Sequence, residues 1–223
     1  MTNGLRFTPI DPAAWNRYDL FCYFSQAAPT GYSLTVNVEV TRLRQTLKAA
    51  GFRFFPAYLW LVTKGLNEQM AFKIAQKDGQ LGYYEGLTPL YAAFHPDDHT
   101  FSLMWTEYSD SFPAFHQAYL DNQAAYGAHH GVLSQTDRLP PPNAYTVSCL
   151  PWISFQHFAV HSYGRAPYYF PSVESGRFVE KHGQTLLPLS ITCHHAATDG
   201  WHVSRFLDRL QARADGFEAF LAP

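Results

Sequence analysis

The strand-like segments of this 223-residue chain occur in groups between helical segments. From Leu34 to Val40 hydrophobic residues alternate with polar ones, which is the period of a strand that buries one face. The other strand-like runs lie at 90–94, 101–108, 145–149, 153–161 and 187–193. Because helices do not alternate strictly with these strands, the sequence predicts an α+β fold in which a sheet packs against helices.

Helix start and stop signals lie between the strands. Thr41 is a candidate cap for a helix that ends at Ala50, where Gly51 supplies the left-handed stop. Pro56 is well placed to open a second helix that runs through Leu66. Further helices are predicted at 12–24, 111–128 and 201–220 from the spacing of their apolar residues.

A tight hairpin is predicted at Asp78-Gly79, because this dipeptide readily adopts the positive φ angles of such a turn. Its arms are expected at 71–75 and 81–84. The chain has no fixed-period repeat, low-complexity tract or linker-like stretch, so one domain is expected over residues 1–223.

Charge and cysteine content argue against several classes of function. Sixteen basic and eighteen acidic residues are dispersed and give a net charge of -2, so neither a nucleic acid nor a membrane surface is an expected partner. No signal-peptide core and no apolar run of ~20 residues is present, which predicts a cytoplasmic protein.

Cys22, Cys149 and Cys193 lie far apart in apolar stretches, so free thiols are expected rather than disulfides or a cysteine-based zinc site.

The segment from Leu187 to Phe206 contains the most chemistry. A strand ends at His194-His195, Asp199-Gly200 turns the chain, and a helix follows. A histidine at a strand terminus is held by the sheet and can still project its ring into a cleft. An unperturbed histidine side chain is largely deprotonated at neutral pH, so a histidine in this position can accept a hydroxyl proton.

Two other interpretations of these histidines remain open. A single histidine beside a strand is more often a satisfied core or surface residue than a base. Zinc binding by His194, His195 and Asp199 is disfavoured, because adjacent strand residues point to opposite faces and no cysteine or glutamate completes the site. No metal is therefore expected.

The pattern His-His-x-x-x-Asp-Gly-x-His-Val-x-Arg-Phe closely resembles the chloramphenicol acetyltransferase family. The shorter core His-x-x-x-Asp-Gly also occurs in dihydrolipoamide acyltransferases and in peptide-synthetase condensation domains. Further matching segments cover nearly the whole chain at the family's spacing. They are Trp15-Asn-Arg17, Phe21, Gly31-Tyr-Ser-Leu-Thr, Arg53-Phe-Phe-Pro56, Phe94-His95, Thr100-Phe101-Ser102 and Val147-Ser148-x-x-Pro151-Trp152-x-Ser-Phe155.

The resemblance implies direct acetyl transfer from acetyl-CoA to a hydroxyl of chloramphenicol, and so antibiotic resistance. His195 matches the family's general base, and Ser148 matches the serine that donates a hydrogen bond to the tetrahedral oxyanion. Asp199 and Arg17 match a buried ion pair that supports the catalytic loop. Acetyl-CoA is the only cofactor implied, as a co-substrate. Its expected contacts are Arg53, Trp152, Arg177 and Phe178.

The family fold is an α+β two-layer sandwich of a mixed β-sheet packed against helices. The resemblance also implies a homotrimer with active sites between subunits. In that assembly His195 comes from one subunit and most contacts to the chloramphenicol-like acceptor come from its neighbour.

The acceptor pocket is where the sequence departs from the family pattern. An apolar, aromatic wall is retained. Ala92 stands where many family members have threonine, Thr30 replaces a common cysteine or similar small residue, and Ser162 replaces an aliphatic residue. Glu174 stands where the family has a threonine. A carboxylate there would repel a developing oxyanion unless it were neutralised or turned outward. A local shift in the alignment to the family is the other explanation. A different hydroxylated acceptor, a metal hydrolase and a non-catalytic binding module are the alternatives. The retained wall consists of Phe24, Tyr32, Phe101, Phe158 and Val160.

Overall fold

The computed structural model describes residues 5–161 and 168–222, so Ser162 lies outside the described residues. Strands β1 to β10 span Phe7–Pro9, Gly31–Glu39, Ile74–Lys77, Gln80–Tyr84, Thr88–His95, Thr100–Trp105, Ala144–Leu150, Ser172–Gly176, Val179–Lys181 and Gln184–His194. Helices α1 to α5 span Tyr18–Cys22, Thr41–Ala50, Phe54–Asn67, Phe112–Tyr126 and Gly200–Asp215. A π-helix covers Tyr23–Ala27, and 3₁₀ helices cover Met70–Lys73 and Phe217–Phe220. None of the helices in these described ranges has the length and apolar character that a membrane span requires.

The strands form two sheets. The larger has seven strands, with β2, β10, β8, β7, β5 and β6 side by side and β9 paired to β10. The pairs β5–β7 and β7–β8 are parallel, and the remaining pairs are antiparallel. The smaller sheet joins β1, β4 and β3. This mixed sheet backed by helices confirms the predicted α+β sandwich.

One face of the large sheet packs on the helices and forms the core. Val147, Val173 and Ile191 lie side by side on β7, β8 and β10 and are almost fully buried. Helix α3 crosses behind them, and its Leu59 and Trp60 are completely buried. Burial of such aliphatic and aromatic side chains supplies most of the driving force for folding.

The opposite face of the same four strands carries hydroxyl groups and one carboxyl group. We call it the polar face. It comprises Ser33, Thr35, Thr146, Ser148, Ser172, Glu174, Ser190 and Thr192, which occupy adjacent register positions on β2, β7, β8 and β10. A sheet with one apolar and one polar face explains the alternating pattern that identified its strands.

Local signals placed several elements correctly. Helix α2 ends at Gly51 with a φ of 75°, and the hairpin turn has positive φ at Asp78 (51°) and Gly79 (78°). The predicted cap was wrong, because Val40 occupies the N-cap position. The Thr41 hydroxyl instead accepts a hydrogen bond from the backbone N–H of Thr185 at 2.7 Å, which ties α2 to β10.

Several predicted boundaries also need correction. Residues 153–161 form no strand, because this segment contacts the sheet through isolated hydrogen bonds, such as Ser190 Oγ to the Phe158 carbonyl at 2.5 Å. The first helix begins only at Tyr18, and the last ends at Asp215 before a 3₁₀ turn. The sequence also missed β8, whose residues Ser-Val-Glu-Ser-Gly lack an apolar alternation.

The three cysteines are free thiols, as the sequence predicted. Cys193 is buried on the helix side of β10, and burial raises its pKa to about 12. Cys22 and Cys149 are half-buried.

Candidate active site

His195 lies one residue beyond β10, in the loop that leads to α5. The last register pair of β10 with β2 is His194 with Gly31, and the His195 backbone N–H then donates to the Thr30 carbonyl at 2.8 Å. This bond extends the sheet pairing by one step. The backbone of His195 is therefore fixed by the sheet although the residue lies in a turn.

The His195 ring has one fixed hydrogen-bond partner. Its Nδ1 lies 2.9 Å from the Thr198 carbonyl oxygen. A carbonyl oxygen can only accept, so Nδ1 carries the hydrogen and the neutral ring has its lone pair on Nε2. Phe24 packs against the ring at 4.1 Å between centroids and Tyr32 meets it edge-on at 5.3 Å, which restricts its rotation. The ring is thus arranged to accept a proton at Nε2.

His194 is held differently. Its Nδ1 accepts the Ala196 backbone N–H at 3.2 Å, and its ring lies against Tyr169. Burial lowers the pKa of His194, and the adjacent His195 lowers it further. Within the described ranges, His194 and His195 do not bring ligand atoms together with Asp199, so the zinc arrangement left open by the sequence is not formed.

Asp199 anchors the loop and begins helix α5. As N-cap its carboxylate accepts the backbone N–H groups of Trp201 and His202, and it also accepts from His202 Nδ1 at 2.9 Å. Its second oxygen lies 2.5 Å from Arg17 Nη1. Burial raises the pKa of Asp199, but His202 and Arg17 outweigh it and hold the pKa below its usual value. With Asp199 33% exposed, the pair is less buried than the sequence suggested.

His202 was missed by the sequence-based site prediction. It stands at the third position after the N-cap, from which its side chain reaches back to the Asp199 carboxylate. That spacing was the signal that could have identified it.

We expect Arg17→Ala and Asp199→Asn to be strongly non-additive. Either change breaks the same ion pair, so each single variant should lower the melting temperature and the double variant should add little. The coupling energy of contacting residues is typically ~0.5–3 kcal/mol. Urea unfolding of the wild type, the two single variants and the double variant measures this energy. If the losses in unfolding free energy simply add, the two residues act independently.

Ser148 occupies the centre of the polar face. It pairs with Glu174 on β8, which in turn pairs with Ser190 on β10. Every other hydroxyl of this face is engaged. Thr146 donates to Ser172, which donates to Glu174. Thr35 donates to Ser190, which donates to the Phe158 carbonyl, and Ser33 and Thr192 bond each other. Within residues 5–161 and 168–222, Ser148 Oγ makes no hydrogen bond, which leaves its O–H available to an incoming group.

Glu174 does not turn outward, since it is 1% exposed. Its Oε1 accepts a hydrogen bond from Ser172, and its Oε2 has no partner among the described residues. Burial raises the pKa of Glu174 to about 7, although the Ser172 hydrogen bond acts in the opposite direction. Near neutral pH this carboxyl group therefore exists in both protonation states.

The candidate residues fall into two separate groups within one chain. Phe24, Thr30 and Tyr32 surround His195, and we call these four the histidine half-site. Glu174 and Ala92 flank Ser148, and we call these three the serine half-site. Ala92 is placed there because it follows Tyr91, the register partner of Val147.

The other predicted acceptor contacts are Phe158, Phe101 and Val160. Phe158 covers Ser190 of the polar face. Phe101 and Val160 are 60% and 43% exposed, so their apolar surfaces are open in a single chain.

The two half-sites are far apart. From Ser148 the register runs across β8 to Ser190 on β10, and His195 lies five positions further along that strand. At ~3.3 Å per residue and ~4.8 Å per strand spacing, their Cα atoms are separated by roughly 19 Å. This exceeds the combined reach of the two side chains, so one chain cannot bring both to the same reacting group.

Three of the predicted CoA contacts, Trp152, Arg177 and Phe178, follow the carboxyl ends of β7 and β8. The backbone N–H of Arg177 donates to the Ile153 carbonyl at 2.8 Å, which places the ends of both strands side by side. Phe178 packs edge-on against Phe54, the neighbour of Arg53, at 4.9 Å between centroids. Guanidinium groups suit phosphates, so residues of the kind that bind an adenine nucleotide lie on the elements at this edge.

Arg44 extends this group and was not predicted. Its guanidinium lies 4.5 Å above the centroid of the Phe178 ring and 3.2 Å from Glu180. No local sequence signal marks it, because helix α2 brings it there through tertiary packing.

Solved structures show where this fold occurs. A chloramphenicol acetyltransferase superposes with a TM-score of 0.84 at 24% identity, covering 93% of this chain and 99% of that one. A dihydrolipoamide acetyltransferase from Azotobacter vinelandii superposes with a TM-score of 0.65 at 17% identity, covering 96% and 100%. The chain therefore has the fold of these acetyltransferases.

Sequence comparison defines the family. The chloramphenicol acetyltransferase family model matches residues 5–211. The chain is 34% identical to a chloramphenicol acetyltransferase of Clostridium perfringens, over 97% of this chain and 99% of that protein. It is 33% identical to chloramphenicol acetyltransferase 2 of Escherichia coli, over 95% and 98%. The chain belongs to the chloramphenicol acetyltransferase family, which confirms the resemblance found in the sequence.

Proposed function

We propose that this protein transfers the acetyl group of acetyl-CoA to a hydroxyl of chloramphenicol and thereby inactivates the antibiotic. The observation that supports this most is the His195 ring, whose Nδ1–H is held by the Thr198 carbonyl and whose Nε2 is left to accept a proton. Family membership supplies the reaction and the substrates.

In the proposed reaction, His195 Nε2 takes the proton of the acceptor hydroxyl as its oxygen attacks the thioester carbonyl. The carbon–oxygen bond forms and the carbonyl oxygen becomes an oxyanion, to which Ser148 donates its free hydroxyl hydrogen. Collapse of this intermediate breaks the carbon–sulfur bond. The leaving thiolate takes the proton from the His195 imidazolium, so no acyl-enzyme forms and the base is regenerated.

The distance between the half-sites supports a site shared by two subunits. The histidine half-site of one chain would face the serine half-site of another, as in the homotrimer implied by the sequence resemblance. In a closed ring of three subunits each interface supplies one complete site. The polar face is then covered by a neighbour, which gives a role to its row of hydroxyls.

Acetyl-CoA would lie along the edge formed by Arg53, Trp152, Arg177 and Phe178. The guanidinium groups suit its phosphates, and the rings suit adenine and the pantetheine chain. Arg44 adds a further cation beside Phe178.

The direct test is an incubation of purified protein with acetyl-CoA and chloramphenicol. We expect thiol release that depends on both substrates, and a product heavier than chloramphenicol by one acetyl group. A metal hydrolase would instead ignore acetyl-CoA and lose activity to chelators. A non-catalytic binding module would bind without releasing thiol. A cytoplasmic location and a single domain over residues 1–223 stay predictions.

The composition of the serine half-site favours a second candidate function, in which the acceptor is not chloramphenicol. Glu174 and Ala92 flank Ser148, and a carboxyl group there changes both the charge and the hydrogen-bonding capacity of the pocket. The alternative function is therefore transfer to a different hydroxylated small molecule. An enzyme of that kind would release thiol rapidly with its own acceptor and only weakly with chloramphenicol.

We expect Glu174→Thr to raise kcat/KM for chloramphenicol above pH 7. With a pKa of about 7, the wild-type carboxyl is mostly ionised above that pH and opposes the oxyanion, whereas below it the carboxyl is protonated and neutral. The variant-to-wild-type ratio should thus rise with pH through 7. Taking this ratio at each pH cancels the pH effects that the two proteins share, and Glu174→Gln is the matched neutral control. A flat ratio near one would show that Glu174 does not act on the transition state.

A further inference from the structure

A group of histidine and aspartate side chains lies at the opposite edge of the large sheet from His195. We call His95, Asp97, Asp98 and His130 the His–Asp cluster. His95 is the last residue of β5, Asp97 and Asp98 lie in the turn between β5 and β6, and His130 belongs to the loop after α4. That loop runs beside β6 through backbone bonds at Val132 and Ser134, and the His130 ring stacks on His95 with centroids 4.0 Å apart.

His95 is almost fully buried, and its hydrogen bonds fix its tautomer. The Ser102 hydroxyl lies 2.8 Å from His95 Nε2 and 3.0 Å from the His129 carbonyl. The carbonyl can only accept, so Ser102 gives it its single hydrogen and receives one from His95 Nε2–H. The lone pair of His95 is therefore on Nδ1, which has no hydrogen-bond partner within the described residues.

His130 is oriented in a corresponding way. Its Nδ1 lies 2.9 Å from Asp98 Oδ2, and Asp98 is fixed because its other oxygen accepts from the Thr100 backbone at 3.0 Å and hydroxyl at 2.7 Å. This contact holds the hydrogen on Nδ1 and leaves Nε2 as an acceptor. Nε2 lies 3.4 Å from Asp97 Oδ2. Two ligand atoms each ~2.0–2.2 Å from a tetrahedral zinc ion lie at about that separation.

We propose that His95 Nδ1, His130 Nε2 and the Asp97 carboxylate bind a divalent transition-metal ion such as Zn²⁺. One ligand atom from each of the three residues already lies within 4.8 Å of the others. Asp97 and His130 are 68% and 43% exposed, so the Asp97 carboxylate can rotate and the His130 ring can tilt about its Asp98 contact to shorten the widest separation.

The surroundings of the three ligands have the character of a metal site. Metal-bound histidines generally donate their second ring N–H to a carboxylate or another oxygen. Here Ser102 accepts that hydrogen from His95, and the Asp98 carboxylate lies 2.9 Å from His130 Nδ1. Two imidazoles and one carboxylate suit Zn²⁺, Co²⁺ or Ni²⁺ better than Mg²⁺ or Ca²⁺. Three protein ligands leave a fourth position for water.

A bound ion would brace the acceptor wall and would not take part in the acetyl transfer. Phe94 directly precedes His95 and pairs across the hairpin with Phe101, a predicted acceptor contact. The ion would join the tip of this hairpin to the loop at 127–134.

The test is a titration of tag-free protein, freed of metal by chelation, with Zn²⁺, together with Co²⁺ absorbance to report the ligand geometry. We expect one ion per chain, a rise in melting temperature, and at least a tenfold loss of affinity in His130→Gln and in Asp97→Asn. Asp98→Asn should weaken binding ~10–100-fold through the His130 orientation. His129→Gln is the matched control on the same loop, since its Nδ1 bonds the Ser134 carbonyl, and it should bind as the wild type does.

His194→Gln tests whether the ion binds at the histidine pair of the active site instead. This variant should bind the ion as tightly as the wild type does. The proposal is overturned if no saturable binding occurs, if His130→Gln binds as tightly as the wild type, or if His194→Gln abolishes binding. Because the readouts are affinity, absorbance and melting temperature, the result does not depend on whether the protein acetylates chloramphenicol.

Discussion

His195→Ala should lower turnover by at least ~10²–10⁴-fold while binding of CoA is retained, because the variant removes the only base proposed for the acceptor hydroxyl. The loss should appear in kcat, since the imidazole acts on the reacting proton and does not contact the nucleotide. Steady-state thiol release, with CoA affinity measured separately by calorimetry, distinguishes these effects.

His194→Ala is the matched control for this experiment. His194 is adjacent in sequence, yet its Nδ1 is occupied by the Ala196 N–H and its ring packs on Tyr169. Its removal should reduce turnover far less than the loss of His195. If folded His195→Ala protein turned over at a comparable rate to the wild type, the base assignment would be wrong.

Ser148→Ala should reduce kcat by about 10²–10³-fold and leave KM nearly unchanged. Its hydroxyl makes no hydrogen bond to the described residues and is proposed to donate to the carbonyl oxygen, and that hydrogen bond strengthens most when the oxygen becomes anionic. Ser33→Ala removes a hydroxyl that bonds Thr192 on the same face of the sheet, and serves as the control. A variant that raised KM and kept kcat would place Ser148 in ground-state binding instead.

The parts of the fold that local chemistry determines could be predicted from the sequence. The Leu34–Val40 alternation, the Gly51 stop and the Asp78-Gly79 turn each specify a backbone conformation by themselves. Strand β8 could not be found in this way, because its Ser-Val-Glu-Ser-Gly sequence is stabilised by neighbours on both sides in the sheet. The apolar segment 153–161 was wrongly predicted to be a strand, because it lies over the sheet and does not pair with it.

The candidate site was partly predictable for similar reasons. The His194-His195 and Asp199-Gly200 spacing marks a strand that ends beside a helix start, and the structure has that arrangement. The raised pKa of Glu174 depends on its burial, which no pattern in the sequence indicates. Arg44 beside Phe178 and the His95–His130 stack arise from tertiary contacts between distant segments, so sequence spacing gave no sign of them.

The central claim is that His195 and Ser148 act together from different subunits, and mixing two inactive variants tests it most directly. When His195→Ala and Ser148→Ala chains are co-assembled at equal amounts into trimers, each mixed trimer contains one interface with both residues intact. Random assembly then gives about a quarter of the wild-type activity, whereas each variant alone stays at its low residual rate. If the co-assembled protein shows no more activity than the two separate variants, the site does not lie between subunits and the account is contradicted.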